Sequence, residues 1–185
     1  MIVFEGSSAA DRATPAPTSL SQSIPTQNPS DSPAKTRIVV GADHAYPPYE
    51  FLQQGEPAGF NIDLIRAVAE IMNLEVEIHA EPWNQVRHEL EEGKIDLLSG
   101  MYYSEERDRM MDFSVPHCQV TSGLFARNDS SIQKFADIRG KEIIVQNGDL
   151  MHDTMKNQGS ASVIVPVTDP VDGLRLLASG RHDGL

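Results

Sequence analysis

The chain of 185 residues is long enough for one domain or a little more, and for a sizeable core. With 27 acidic against 15 basic residues, a formal charge of −12 and a pI near 4.8, it is a poor match for a phosphate backbone, and nucleic acid is disfavoured as a partner. No stretch approaches the roughly 20 apolar residues that span a bilayer, the start Met1-Ile2-Val3-Phe4-Glu5 lacks the basic and apolar parts of an export signal, and the single cysteine, Cys118, excludes an internal disulfide or a multi-cysteine metal centre.

Residues 1 to 36 differ in kind from the rest. Pro15, Pro17, Pro25, Pro29 and Pro33 lie among Ser, Thr, Gln and Asn, and after Phe4 only Leu20 and Ile24 are large and apolar. Too little apolar surface is present to offset the chain entropy of ordering, so the segment is expected to be a disordered leader or linker. From Arg37 the pattern changes to alternating strand and helix signals. Arg37 to Asp43 is a short apolar run ending in turn chemistry, and a second strand, Tyr49 to Gln53, precedes a turn at Gly55. Leu64, Ile65, Val68, Ala69, Ile71 and Met72 recur at helical spacing, with Asn61 as the expected N-cap.

Leu74 to Ile78 alternates as a strand. Trp83, Val86 and Leu90 share one stripe of a helix that stops at Gly93, and Ile95 to Met101 reads as the next buried strand. Further on come the strand Lys141 to Gln146, a helix near Asp149 to Lys156, the strand Ser162 to Val167 and the helix Pro170 to Ala178. This rhythm implies an α/β fold with open, mostly parallel sheets and helices on their faces. A weak internal repeat sets Leu90-Glu91-Glu92-Gly93-Lys94-Ile95-Asp96-Leu97-Leu98 against Leu177-Ala178-Ser179-Gly180-Arg181-His182-Asp183-Gly184-Leu185, offset by 87 residues. In each copy a helix ends at a glycine, a basic residue follows and an aspartate opens a strand. The expected organisation is one α/β lobe followed by part of a second, cut short at Leu185.

There is no G-x-G-x-x-G, no Walker-type loop, no G-x-S-x-G elbow and no H-E-x-x-H, and the six histidines lack ligand spacing, so neither a cofactor nor a metal is expected. The charged run Ser104 to Ser114 is either a solvated helix face or the place of a ligand-binding arginine, Arg107, near the carboxyl end of strand 95–101. Tyr46 and Tyr49 follow the first strand and either line a pocket or pack in the core. Gly148 and Asp149 open a helix, which favours anions, though Asp149 also suits an N-cap.

Three stretches together carry a resemblance. They are Asp43-His44-Ala45-Tyr46-Pro47-Pro48-Tyr49-Glu50-Phe51, then Gly59-Phe60-Asn61-Ile62-Asp63-Leu64, then Ile95 to Met101 running on to Ser104-Glu105-Glu106-Arg107 and Asp112-Phe113-Ser114. In order and spacing, residues 37 to 185 resemble the family 3 extracytoplasmic solute-binding proteins, of the amino-acid type. The resemblance implies a two-lobed periplasmic-binding-protein-like (Venus flytrap) fold, its first lobe largely present and its second incomplete. Lobe 1 would cover 37–122, a hinge strand 123–127 and partial lobe 2 128–185, after the leader 1–36.

It implies a ligand clamped between lobes, with Tyr46 and Trp83 enclosing its body and Ser99, Gly100, Met101 and Tyr102 at its polar end. Arg107 would grip a carboxylate, and Gly148 and Asp149 would close the site from the second lobe. Asp149 stands where amino-acid binders usually have threonine or serine, and its charge would repel a carboxylate.

The implied function is non-enzymatic, extracytoplasmic or periplasmic binding of an amino acid or small carboxylate. Val145 to Asp153, Pro82-Trp83 and Tyr103 to Arg107 look most like copies of this domain that serve as sensory input to histidine kinases and related membrane signalling proteins. The binding component of an amino-acid ABC transporter, partnered by a permease, is the alternative, and a dehydratase-type enzyme on the same fold a lesser one.

Overall fold

The computed structural model describes residues 3–4, 34–159, 161 and 163–185. In chain order the elements of the first lobe are β1 (Val3–Phe4), β2 (Thr36–Asp43), β3 (Ala45–Tyr46), β4 (Glu50–Gln53), β5 (Glu56–Ala58), α1 (Phe60–Ile71), β6 (Leu74–Glu81), α2 (Trp83–Glu91), β7 (Leu97–Leu98), α3 (Glu105–Asp108) and β8 (Asp112–Phe113). The second lobe holds a short 3-10 turn (Phe135–Ile138), β9 (Glu142–Gln146), α4 (Leu150–Gln158), β10 (Val163–Val167) and α5 (Pro170–Ala178).

The first lobe is built on a sheet in the order β6-β2-β7-β1-β8. β2 runs parallel to both β6 and β7, so the connections must cross over, and α1 and α2 supply those crossovers. Successive strand residues face opposite ways. Leu97 therefore packs with Val40 and Ile65 of α1, while Leu98 packs with Val86 and Leu90 of α2, beside Trp83, Ile95 and Met101. A small sheet, β3-β4-β5, lies alongside, and its β4–β5 hairpin turns on Gln54 and Gly55, whose φ values of 55° and 88° fit a two-residue turn of the left-handed type. In the second lobe β9 and β10 pair in parallel, and Ile143, Val145, Ile138, Ile132 and Met155 form its core.

Four expectations are corrected. Val3–Phe4, counted with the leader, instead pairs antiparallel with both β7 and β8, giving backbone partners to two strand edges that do not meet each other. Residues 1–2 and 5–33 of that stretch lie outside the described residues. Asn61 is inside α1, and the N-cap is Gly59 at φ 117°, where an added Cβ would sit 2.5 Å from the Tyr49 carbonyl oxygen. The strand expected over 95–101 is confined to Leu97–Leu98, because the chain turns away after Ser99 donates to the Gly41 carbonyl at 2.9 Å. Within 123–127, where a hinge strand was expected, no strand forms, though Phe125 exchanges two backbone hydrogen bonds with Leu185 at 2.8 and 3.0 Å.

The repeat is structural. Gly93 and Gly180 both take left-handed φ, 68° and 79°, and release the chain from a helix. The Asp96 carboxylate then accepts from the Val39 amide at 2.7 Å, and the Asp183 carboxylate accepts from the Glu142 amide at 2.9 Å. Next, Leu97 stands opposite Val40 and Gly184 opposite Ile143, both in parallel. Each aspartate thus anchors the segment that follows its helix to a parallel strand of its lobe, β2 or β9. Asp96→Ala and Asp183→Ala are each expected to cost about 0.5–1.5 kcal/mol, the net worth of such a bond. Urea unfolding measures this, and a variant as stable as the parent would contradict the equivalence.

Candidate functional site

The equivalent first strands, β2 and β9, point their carboxyl ends at each other, and their last residues touch: the Gln146 side-chain amide donates to the Asp43 carboxylate at 2.7 Å. Beside this bridge lies a cavity of about 170 Å³ with walls from both lobes. Open α/β sheets place their ligands at that end.

The lobe 1 wall is organised by Glu50, which opens β4 and is 2% exposed. Its carboxylate accepts from the Asp43 amide at 3.0 Å, from the Asn61 side-chain amide at 3.0 Å and from the Ser99 hydroxyl. One buried acid so ties the end of β2, the start of α1 and the turn after β7. Asp43 accepts in turn from the Ala45 amide at 2.9 Å. Burial raises both carboxyls above their ordinary values, against the lowering effect of these donors. Asn61 is linked through its carbonyl to the His117 ring at 3.1 Å, and burial holds that imidazole below its usual value.

Aromatic rings fill the same wall. The Tyr46 and Tyr102 hydroxyls share a hydrogen bond of 2.6 Å, and burial raises both phenols, for Tyr46 with the added effect of that bond. Tyr49 stacks on Tyr46 with ring centroids 5.2 Å apart. Trp83 begins α2, is 6% exposed and turns its indole N–H across to lobe 2, where the Gly148 carbonyl accepts it at 2.9 Å.

That carbonyl is the focus of the lobe contact. Gly148 takes φ 76°, and its oxygen also receives Arg87 at 2.8 Å and Arg107 at 3.1 Å. One turn into α4, the Asp153 carboxylate receives both guanidiniums again, each at 2.9 Å. Arg107 is 1% exposed and makes a further bond to the Tyr102 carbonyl at 3.3 Å, while its Nε has no partner among the described residues. Asp149 caps α4 by accepting from the Met151 amide at 3.4 Å.

Among the residues expected at the site, Tyr46, Trp83, Gly100, Met101, Tyr102 and Asp149 line the cavity. Ser99 stands behind it, acting on Glu50. Arg107 and Gly148 do not line it and contact each other instead, so the carboxylate facing Arg107 belongs to Asp153. Asp43, Glu50, Asn61, His117 and Gln146, which no sequence motif singles out as site residues, also line the cavity. The first three sit in the stretches that carried the resemblance, where buried acids could have been suspected. Gln146 was signalled only by lying at the end of the second lobe's first strand.

A profile of the bacterial extracellular solute-binding proteins, family 3, matches residues 38–175. The chain is 28% identical over 130 residues to the arginine-binding extracellular protein ArtP of Bacillus subtilis, a match covering 70% of this chain and 51% of that relative. It thus spans about half the length of that relative. Among solved structures it is similar to a histidine kinase sensor domain with similarity to periplasmic binding proteins, at 40% identity and a TM-score of 0.76 over 81% of this chain and 67% of that one. The substrate binding protein of an amino acid ABC transporter matches at 30% identity and a TM-score of 0.70, over 80% and 68%.

The raised carboxyl of Glu50 has a consequence for stability. A group protonated more readily when folded contributes stability that is complete below its unfolded value, about 4.3, and that is lost as pH rises through the higher folded value. Glu50→Gln is expected to lose less stability than the parent as pH rises above the unfolded carboxyl value in urea unfolding. An unchanged pH slope would contradict the direction of the shift.

Proposed function

Because the chain belongs to the bacterial extracellular solute-binding proteins, family 3, we propose that it is a receptor for a small polar solute of the amino-acid type, held between its two lobes outside the cytoplasm. The observation that carries the reading is the cavity itself, walled by aromatic and polar side chains from both lobes at the carboxyl ends of β2 and β9. Tyr46 and Trp83 enclose the solute, Gly100, Met101 and Tyr102 meet its polar groups, and Asp149 reaches it from the second lobe. Ser99, Arg107 and Gly148 hold these groups in place. The role is binding rather than catalysis.

The output is a sensory signal to a membrane signalling module. The likeness to the histidine kinase sensor domain, higher in identity than that to the transporter component, favours this reading. Delivery to an ABC permease is the second reading. In either case closure acts as a signal only if the solute binds the closed state better than the open one.

Two native probes test the proposal. Trp83 is the only tryptophan and Cys118 the only cysteine, and both line the cavity. Titration with amino acids and related small polar solutes is expected to change tryptophan emission saturably and to slow alkylation of Cys118 over the same concentration range. A saturable emission change with no protection of Cys118 would place the solute elsewhere.

A further inference from the structure

We infer that the solute is an organic cation without a carboxylate, an amine or guanidine compound, because Asp153 already occupies Arg107 with a carboxylate from the protein. The inference rests on the solute-receptor reading and departs from its amino-acid-type ligand in one respect, the absence of the carboxylate. Among the described residues no lysine or arginine lines the cavity, whereas Asp43, Glu50 and Asp149 do. Protonated or ionised, the first two offer acceptors or a neutral acid, never a positive charge. His117, the other titratable nitrogen there, is held below its usual value by burial and is neutral at neutral pH.

The nearest guanidiniums, of Arg87 and Arg107, are engaged by the same two acceptors, the Asp153 carboxylate and the Gly148 carbonyl, at 2.8 to 3.1 Å. A solute carboxylate entering this space would lose water, meet like charge and find no cation, and each of these is unfavourable. To reach Arg107 it would have to displace Asp153 and break one of the contacts between the lobes. A cation meets the opposite conditions. Asp149 supplies charge, and the rings of Tyr46 and Trp83 supply faces that attract a desolvated cation. Charge complementarity of this kind sets which solute is accepted.

The test uses matched pairs on the full chain, read by calorimetry and Trp83 emission: arginine with agmatine, histidine with histamine, and glutamate alone. Within each pair the two solutes differ by the carboxylate. At least one amine is expected to bind about tenfold or more tightly than its amino acid, and glutamate not at all. Asp149→Asn keeps a good helix cap while removing the charge, and is expected to weaken amine binding about tenfold. Asp153→Asn frees Arg107 and is expected to shift preference towards the carboxylate-bearing member of the pair.

If an amino acid binds and its amine does not, the inference is wrong and the receptor reading stands. If no member of the panel binds at millimolar concentration, both are overturned. Equal binding of amine and amino acid by the parent and by Asp153→Asn would also refute it, since Asp153 would then have no part in selection.

Discussion

Arg107 is 1% exposed, and a guanidinium so placed loses hydration worth several kcal/mol unless its donors are met. Its own lobe offers the Tyr102 carbonyl; the other acceptors come from across the gap. The sequence makes this arrangement locally. Ser104 accepts from the Arg107 amide and starts a single turn of helix, which brings the side chain inward instead of into solvent. Arg87, on α2, reaches the same Asp153 oxygen, and the Trp83 indole joins on the Gly148 carbonyl. The acceptors for Arg87, Arg107 and Trp83 thus come from a short piece of lobe 2, a left-handed glycine and one acid a helical turn later.

The cavity is the space left beside that contact. On the lobe 1 side a single buried acid, Glu50, orients Asp43, Asn61 and Ser99, and Asp43 passes the arrangement on to Gln146. A carboxyl with this many donors is fixed in position, while burial makes its charged form costly. The wall is thus rigid, acidic and aromatic, and it lacks cations among the described residues. The chain brings together the fold of the family 3 solute-binding proteins and a cavity whose electrostatics suit a cationic group better than a carboxylate.

Most of the fold was legible because it rests on local rules. The stripe of Trp83, Val86 and Leu90 matches the buried face of α2, and the Gly93 and Gly180 helix stops both take left-handed φ. The repeat foretold that Asp96 and Asp183 play the same part. What was missed depends on distant partners. Asn61 has the chemistry of a cap, but its side chain is drawn to Glu50 and His117, and glycine takes the cap where Tyr49 leaves no room for a Cβ. Val3–Phe4 gave no periodic signal because two residues cannot, and their pairing is a property of the open edges of β7 and β8. The site shows the same limit. Position placed Arg107 near the ligand, yet its partner Asp153 lies 46 residues on, with no local pattern connecting the two.

The central claim is that Arg107 and Asp153 satisfy each other across the lobes. A double-mutant cycle on Arg107→Gln and Asp153→Asn, with unfolding free energies measured for the parent, both single variants and the double variant, tests it directly. A favourable coupling of about 1.5 kcal/mol or more is expected, as for close charge pairs at an interface. Single effects that add to within about 0.5 kcal/mol would show that the two side chains act independently, and would contradict it.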